Sequence, residues 1–190
     1  VLRLPLRDAV QLLITTGMKY NSFDIKAAGE RGVTVCGTGA TGNPTAGIVF
    51  GLMLELTRHI GFENAQLKAG APWQTTSGLD LEGLTLGIVG LGKLGQRVAA
   101  IGKAFGMKTM AWSQNLTPEK AKEAGVDYAT REDLFAKSDF VSIHYQLSDR
   151  SRGLIAGDDI GRMKKSAYLI NTARAPIVDQ AALLKALQDK

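Results

Sequence analysis

The sequence lacks the features that mark secreted and membrane-spanning proteins. Cys36 is the only cysteine, so no disulfide can form within the chain, as suits a reducing cytoplasm. No apolar run approaches the ~20 residues that a membrane helix needs, and no segment has the pattern of a signal peptide. We therefore expect a cytoplasmic protein without membrane contact or a metal site. Contents of 45% hydrophobic and 22% charged residues are typical of a soluble globular domain.

The net charge of +5 is not gathered in one place. A nucleic-acid-binding protein concentrates its positive charge in a patch or an arm. Here the densest basic spots are the short pairs Lys164-Lys165 and Arg150/Arg152. We therefore expect a solvated surface and no nucleic-acid partner, although a basic chain attracts anionic small molecules.

From Leu84 onward, apolar strands alternate with helices, which predicts a parallel sheet covered on both faces. The predicted strands are Leu84–Val89, Lys108–Trp112, Val126–Tyr128, Phe140–His144 and Tyr168–Asn171. The predicted helices are Leu94–Phe105, Pro118–Ala124, Glu132–Lys137, Asp158–Met163 and Gln180–Gln188.

The upstream part has a different pattern. Two short apolar segments, Gln11–Thr16 and Val33–Cys36, predict strands on either side of a helix, Ile25–Glu30. A turn-rich stretch from Gly37 to Pro44 follows and indicates a domain boundary or hinge.

The segment Thr45–Ala69 predicts one long helix. Ile48, Leu52, Leu56 and Ile60 recur every four residues and form an apolar stripe on this helix. The only charged residue between Thr45 and Leu56 is Glu55, so the helix is apolar nearly all round. Such a helix must be buried against its own core or against a partner chain.

The segment Gly90-Leu-Gly92-Lys-Leu-Gly95 has the pattern G-x-G-x-x-G. The pattern is weak alone, but here it follows a predicted strand and opens a predicted helix, as in dinucleotide-binding folds. Gly90 would allow the tight turn, Gly92 would let the backbone approach a pyrophosphate, and Gly95 would let the helix pack closely on the strand. The free amides around Lys93 and Leu94 would then face the phosphates.

An acidic residue that binds the adenosine ribose is expected at the end of the second strand in NAD-specific proteins. That region reads Ser113-Gln114-Asn115 and contains no Asp or Glu, and Ser113 occupies the expected position. No Arg stands there either, and the nearest cation is Lys120. The sequence therefore leaves NAD or NADP open, with a slight preference for tolerance of NADP.

Four segments resemble the D-isomer-specific 2-hydroxyacid dehydrogenases. They are LEGLTLGIVGLGKLGQRVAAIGKAFGMKTMAW, DFVSIHYQLSDRSRGLI, LINTARAPIVDQAALLKAL and, upstream, TTGMKYNSFDIKAAGERGVTVCGTG. They run through nearly the whole chain and follow the order of the family's motifs.

The resemblance implies an α/β fold: a Rossmann-type doubly wound parallel sheet with a fragment of a second, flavodoxin-like α/β substrate domain. Residues 1–42 would be the end of the first part of the substrate domain, and residues 43–190 most of the NAD(P)-binding domain. The family template leads us to expect a chain that is cut at both ends.

The resemblance also implies roles for three further residues. Arg174 would bind the substrate carboxylate and polarise its carbonyl, and would lie beside the cofactor. His144 and Thr172 match positions near the nicotinamide half. The family's Glu and His acid–base pair lies beyond this region, so we expect residues 1–190 alone to be inactive. Three local departures from common family residues are Gly47, Gln146 and Ala175.

The function that the resemblance implies is NAD(P)-dependent interconversion of a small D-2-hydroxy acid and its 2-oxo acid, such as glyoxylate or hydroxypyruvate. The alternative is a non-catalytic dinucleotide-sensing interaction protein of the same fold. Relatives form two-fold dimers through the region of the long helix. We therefore expect a homodimer with Phe50, Leu54 and the Trp73 loop at or near the contact.

Overall fold

The computed structural model describes residues 10–15, 23–39 and 44–189, and the chain divides into two compact units, Val1–Asn43 and Pro44–Lys190. In the first unit, strands β1 (Leu12–Thr15) and β2 (Thr34–Gly37) pair in parallel. Helix α1 (Ile25–Glu30) lies between them in the chain, and the Asp24 carboxylate caps it by accepting from the Ala27 amide at 2.9 Å. Thr16, the last residue of the first predicted strand, lies outside the described residues. The assignment of this unit to a substrate domain stays a prediction.

The second unit contains a five-stranded parallel sheet with the order β5-β4-β3-β6-β7. Its strands are β3 (Thr85–Val89), β4 (Lys108–Trp112), β5 (Asp127–Tyr128), β6 (Phe140–Ile143) and β7 (Tyr168–Asn171). The order runs outward from β3 in both directions, which is the doubly wound arrangement of Rossmann folds. The predicted Rossmann-type parallel sheet is therefore confirmed, with strand ends that differ from the prediction by no more than one residue.

Helices cover both faces of this sheet. The helices of this unit are α2 (Pro44–Arg58), α3 (Ile60–Lys68), α4 (Lys93–Ala104), α5 (Pro118–Glu123), α6 (Arg131–Lys137), α7 (Gly157–Arg162) and α8 (Gln180–Gln188), and a 3₁₀ turn spans Ala175–Ile177. Alternation along β3 divides the core, because Leu86 and Ile88 pack into one buried cluster and Val89 into the other. Within the described ranges, no helix combines the length and the apolar character of a membrane span.

The prediction of one long helix over Thr45–Ala69 is wrong. His59 has a left-handed backbone conformation (φ 52°) and separates α2 from α3. The Glu55 carboxylate accepts from the Gly61 amide at 2.9 and 3.0 Å, which satisfies a donor at the start of α3. The four-residue spacing of apolar residues continues from Leu56 to Ile60 across His59, so the sequence pattern did not indicate that the helix ends there.

The face of α2 that packs on the core is also not the predicted stripe. The buried side chains are Ala46, Val49, Phe50, Met53 and Thr57. The stripe residues Ile48, Leu52 and Leu56 are 58%, 44% and 39% exposed. Phe50 stacks on Phe105 with ring centroids 5.4 Å apart. The Phe50 ring belongs to the core of its own chain and is 5% exposed, so it offers little surface to a partner chain, and the expectation that it lies at or near a contact between chains stays a prediction.

Gly87→Ala should destabilise the protein. A Cβ at position 87 would lie 2.1 Å from Ser138 Oγ, and that hydroxyl is fully buried and donates to the Leu134 carbonyl at 2.6 Å. Relief of the clash would break this bond or shift β3, so we expect a loss of about 1–3 kcal/mol in the free energy of unfolding, measured by urea denaturation.

Gly47→Ala is the matched control. A Cβ at that exposed helical position would have no neighbour within 4 Å, so stability should hold or rise by up to ~1 kcal/mol. Equal stability of the Gly87→Ala variant and the wild type would contradict the tight packing of β3 against α6.

Candidate functional site

Four aligned strand ends define the edge of the sheet where the predicted site residues gather. Val89 of β3 pairs with Trp112 of β4 and with Ile143 of β6, and Ile143 pairs with Asn171 of β7. The next residues along the chain are Gly90, Ser113, His144 and Thr172. All four are predicted site residues. Ligands bind at this edge of open α/β sheets, where the strand order reverses.

Two glycines, Gly90 in the turn after β3 and Gly95 in the first turn of α4, are required by close contacts. Gly90 has a φ of 100°, and a Cβ there would lie 2.9 Å from the Tyr145 ring and 3.0 Å from the His144 carbonyl oxygen. A Cβ at Gly95 would lie 2.2 Å from the Gly90 carbonyl oxygen. These contacts agree with the predicted roles of Gly90 in the turn and of Gly95 in helix–strand packing.

Gly92 differs from the other two glycines because a Cβ there would meet no atom within 4 Å. It stands immediately before the first residue of α4, with an extended backbone. The first amides of the helix, from Lys93 onward, have no acceptor within the helix itself. An open space beside unpaired amides at a helix start is suited to an anionic group such as a phosphate.

A cavity of about 370 Å³ opens at this edge of the sheet. Its lining comes from three segments: the turn after β3, the residues after β4 and the loop after β6. The lining residues are Gly90, Leu91, Gly92, Ser113, Gln114, Asn115, His144, Tyr145, Gln146, Ser148, Arg150 and Ser151. A second cavity of about 470 Å³ shares Leu91, Ser113 and Asn115 with it and extends to Lys120 and Glu123 on α5.

The turn after β4 is held by groups from distant parts of the chain. Tyr145, on the loop after β6, accepts a hydrogen bond from the Gln114 amide through its Oη atom at 2.8 Å. The Arg131 guanidinium lies 5.2 Å from the centroid of the Trp112 ring, and its Nε and Nη2 atoms bind the buried Asp159 carboxylate at 2.8 and 2.6 Å. These contacts fix the strand end that carries Ser113.

His144 is a neutral imidazole at the wall of the cavity. Its Nε2 atom lies 2.9 Å from the hydroxyl of Ser142, which is fully buried on β6. Burial lowers the pKa of His144 from its ordinary value of 6.5 to about 4, so the ring is uncharged at physiological pH. Within the described residues, its buried Nδ1 atom has no hydrogen-bond partner. The unused nitrogen can therefore pair with a polar group of a ligand.

Thr172 and Arg174 follow β7, beside β6. The buried Thr172 Oγ1 has no partner within the part of the chain that the structure describes. Arg174 is exposed, and its Nη1 donates to the Ala173 carbonyl at 2.8 Å. Asn171 shapes this turn, because its side chain accepts from the Ala173 amide and donates to the Arg174 carbonyl, both at 3.0 Å. Neither Thr172 nor Arg174 lines the two cavities.

The structure thus brings Gly90, Gly92, Ser113 and His144 around one cavity and places Lys93, Leu94 and Gly95 at the start of α4. Sequence reasoning named Gln146 only as a departure from the family pattern and missed Tyr145, Ser148, Arg150 and Ser151 of the loop after β6 as site residues. These residues join the site through the pairing of β3 with β6, and no local pattern marks them.

The features at this edge fit a dinucleotide. The open space at Gly92 and the amides of α4 fit the phosphates, and the unpaired polar atoms of His144 and Thr172 fit groups that donate or accept hydrogen bonds. Together with the strand order, they define a dinucleotide-binding Rossmann domain.

Comparison with known proteins identifies the family. The family model for the NAD binding domain of the D-isomer specific 2-hydroxyacid dehydrogenases matches residues 50–190. The chain belongs to the D-isomer specific 2-hydroxyacid dehydrogenase family. Use of NAD or NADP as the cofactor follows from this membership, without a choice between the two.

Similar proteins extend beyond the region that this chain contains. A glyoxylate reductase of Aeropyrum pernix is 37% identical over 97% of this chain but only 58% of its own length. A D-3-phosphoglycerate dehydrogenase of Bacillus subtilis is 36% identical over 95% of this chain and 35% of its own. The crystal structure of a phosphoglycerate oxidoreductase from Vibrio cholerae superposes with a TM-score of 0.88 at 35% identity, covering 96% of this chain and 59% of that one.

Gly92→Val should abolish dinucleotide binding without unfolding the protein. The new side chain would enter the open space beside the α4 amides, where we place the pyrophosphate. Titration calorimetry with NADH and NADPH should show a loss of at least about 100-fold in affinity, the order expected when several charge-assisted hydrogen bonds fail.

Gly161→Val on α7 controls for the added side chain, because a Cβ there also has no neighbour within 4 Å and the residue lines neither cavity. Its affinity should match that of the wild type. A Gly92→Val variant that binds either dinucleotide normally would show that the phosphate turn is assigned wrongly.

Proposed function

We propose that the whole protein is an NAD(P)-dependent oxidoreductase that interconverts a small D-2-hydroxy acid and its 2-oxo acid. The observation that carries this proposal is the cavity in which the phosphate turn, Ser113 and a neutral His144 meet at the carboxyl edge of the sheet. Relatives named glyoxylate reductase and hydroxypyruvate reductase support a small 2-oxo acid as the substrate class. The chain spans 58% or less of the lengths of these relatives, so the activity is proposed for the whole protein.

The proposed division of the site follows the strand ends. The amides of Lys93 and Leu94 would bind the pyrophosphate, and Ser113 would contact the adenosine ribose. His144 and Thr172 would offer Nδ1 and Oγ1 to the nicotinamide half, since both atoms are buried without another partner within the described residues. The bound cofactor supplies or accepts the hydride at its nicotinamide ring.

Arg174 is the proposed catalytic residue of this chain. Its planar guanidinium suits a carboxylate held by two parallel hydrogen bonds, and it stands just beyond the end of a parallel strand. The contact with the Ala173 carbonyl uses one of its five N–H donors. The remaining N–H donors of the guanidinium can bind the substrate carboxylate and polarise the neighbouring carbonyl.

The proposed proton donor for the 2-oxo group is the family's Glu and His pair, which the resemblance places beyond residues 1–190. His144 would be a poor donor because its pKa of about 4 leaves the ring unprotonated near neutral pH. This agrees with the expectation that the family's Glu and His pair lies beyond residues 1–190. A cytoplasmic location also stays a prediction, and it rests on the single cysteine.

The test is steady-state reduction of glyoxylate, hydroxypyruvate and pyruvate by the full-length protein with NADH and NADPH. Arg174→Gln should lower kcat/KM about 100-fold because two charge-assisted hydrogen bonds to the substrate are lost. Arg174→Lys should keep the charge and recover part of the activity. The affinity for the dinucleotide should be close to that of the wild type in both variants.

The wild-type protein must first show turnover with one of these 2-oxo acids. Absence of turnover across a broad panel would contradict the proposed activity. Full activity of the Arg174→Gln variant would instead show that Arg174 is not a catalytic residue, without contradicting the proposed reaction.

We also propose that the chain forms a homodimer through α2. Ile48, Leu52 and Leu56 form one exposed apolar face of this helix, and Trp73 on the loop after α3 is 78% exposed. Leu54 is half-buried and packs on the core of its own chain, so it contributes less than we expected from the sequence. A two-fold axis would pair this face with its own copy and remove it from water.

Leu52→Asp should convert the dimer to monomers, because association would bury an unpaired carboxylate. Leu184→Asp on α8 is the matched control, since Leu184 is 58% exposed and lies on another helix. Light scattering at matched concentrations should show monomers for the first variant and dimers for the control and the wild type. A monomeric wild type would contradict the proposed contact.

A further inference from the structure

Within the described part of the chain, the wall of the 370 Å³ cavity is uncharged except at one residue. Among the described residues that line the 370 Å³ cavity, Arg150 is the only one with a charged side chain at neutral pH, because His144 is neutral and no Asp or Glu takes part. The Arg150 side chain is exposed and has no hydrogen bond or ion pair with any described residue. An unpaired guanidinium in such a cavity attracts an anion.

A well-ordered turn holds the backbone that carries Arg150. Ser151 is buried, and its hydroxyl accepts from the Ser148 amide at 2.8 Å and donates to the Gln146 carbonyl at 2.7 Å. The Arg152 amide donates to the Ser148 carbonyl at 3.0 Å and closes the turn. The backbone from which the Arg150 side chain extends is therefore held in place at the wall of the cavity.

The same cavity is lined by the turn expected to contact the adenosine ribose. Ser113, Gln114 and Asn115 stand where NAD-specific Rossmann proteins place an acidic residue. A carboxylate there would neutralise Arg150 and repel a phosphate on the ribose. This chain offers a hydroxyl and amides at that turn, and a cation in the lining of the same cavity.

The second cavity is a weaker candidate for the same anion. Lys120 lines it, but so does the Glu123 carboxylate one helical turn further on. Opposite charges at that spacing offset each other. Arg150 faces no such carboxylate within the lining of its own cavity.

We infer that Arg150 binds the 2′-phosphate of NADP(H) and that the site therefore favours NADP(H) over NAD(H). The inference rests on the proposed function, because it takes the cavity to be the dinucleotide site. A guanidinium can donate two parallel hydrogen bonds to a phosphate. The pyrophosphate is the other anionic group of the ligand, and it is common to NADPH and NADH, so a comparison of the two dinucleotides distinguishes it from the 2′-phosphate.

The test is the affinity of the 190-residue chain for NADPH and NADH in the wild type and in Arg150→Gln, by titration calorimetry. The wild type should bind NADPH more tightly than NADH. Arg150→Gln should weaken NADPH binding about 10- to 100-fold, as for loss of charge-assisted hydrogen bonds. NADH binding should change less than about threefold, the size of a screened charge effect.

Arg152→Gln is the matched control, because it removes the same charge two residues further on, from an exposed side chain that lines neither cavity. Its affinities for both dinucleotides should stay within about threefold of the wild type. Thermal denaturation of each variant checks that the fold is kept.

Each other result contradicts a different part of the inference. Equal weakening of NADPH and NADH in Arg150→Gln would assign Arg150 to the pyrophosphate and overturn the 2′-phosphate contact. An NADPH affinity that is unchanged in Arg150→Gln would show that Arg150 does not bind the dinucleotide. A wild-type chain that binds neither dinucleotide would refute the assignment of the cavity and with it the proposed function.

Discussion

The close approach of helix α4 to strand β3 is the constraint on which the rest of the site depends. A side chain at Gly95 would fall 2.2 Å from the Gly90 carbonyl oxygen, so the helix can begin directly above the strand end only because both residues are glycines. This contact brings the first amides of α4 to the carboxyl edge of the sheet. Parallel pairing then places the ends of β4, β6 and β7 beside the same edge.

Sequence reasoning succeeded where a physical requirement is local. The strands of the sheet are short apolar runs because both of their faces are buried, and the glycine pattern lies within six consecutive residues that directly follow a strand. It failed on α2 and α3 for an equally physical reason. A helix that is apolar nearly all round has no single apolar face, so the spacing of Ile48, Leu52 and Leu56 could not show that Val49 and Met53 face the core.

The site shows the same division between local and distant requirements. Gly90 and Ser113 could be predicted from the residues because each directly follows a strand, and the ends of parallel strands meet at one edge. His144 and Thr172 were predicted from the family resemblance, and both also directly follow a strand. Tyr145 and Arg150 could not be predicted from position in this way. The hydroxyl of Tyr145 reaches the Gln114 amide across 31 positions of the chain, and Arg150 depends on the turn that the buried Ser151 holds. In the sequence, Arg150 is simply one of two nearby surface arginines.

The electrostatics of the cavity follow from these placements. The ligand would be an anion, yet the strand ends supply neutral groups, and burial keeps His144 uncharged. Helix amides are equally suited to any pyrophosphate, so they hold the dinucleotide without distinguishing NAD from NADP. Discrimination must then come from charges near the ribose. The turn after β4 carries no charge, so we assign the selection between NAD and NADP to the loop after β6, which carries Arg150. The sequence of this loop can change without disturbing the contact between α4 and β3.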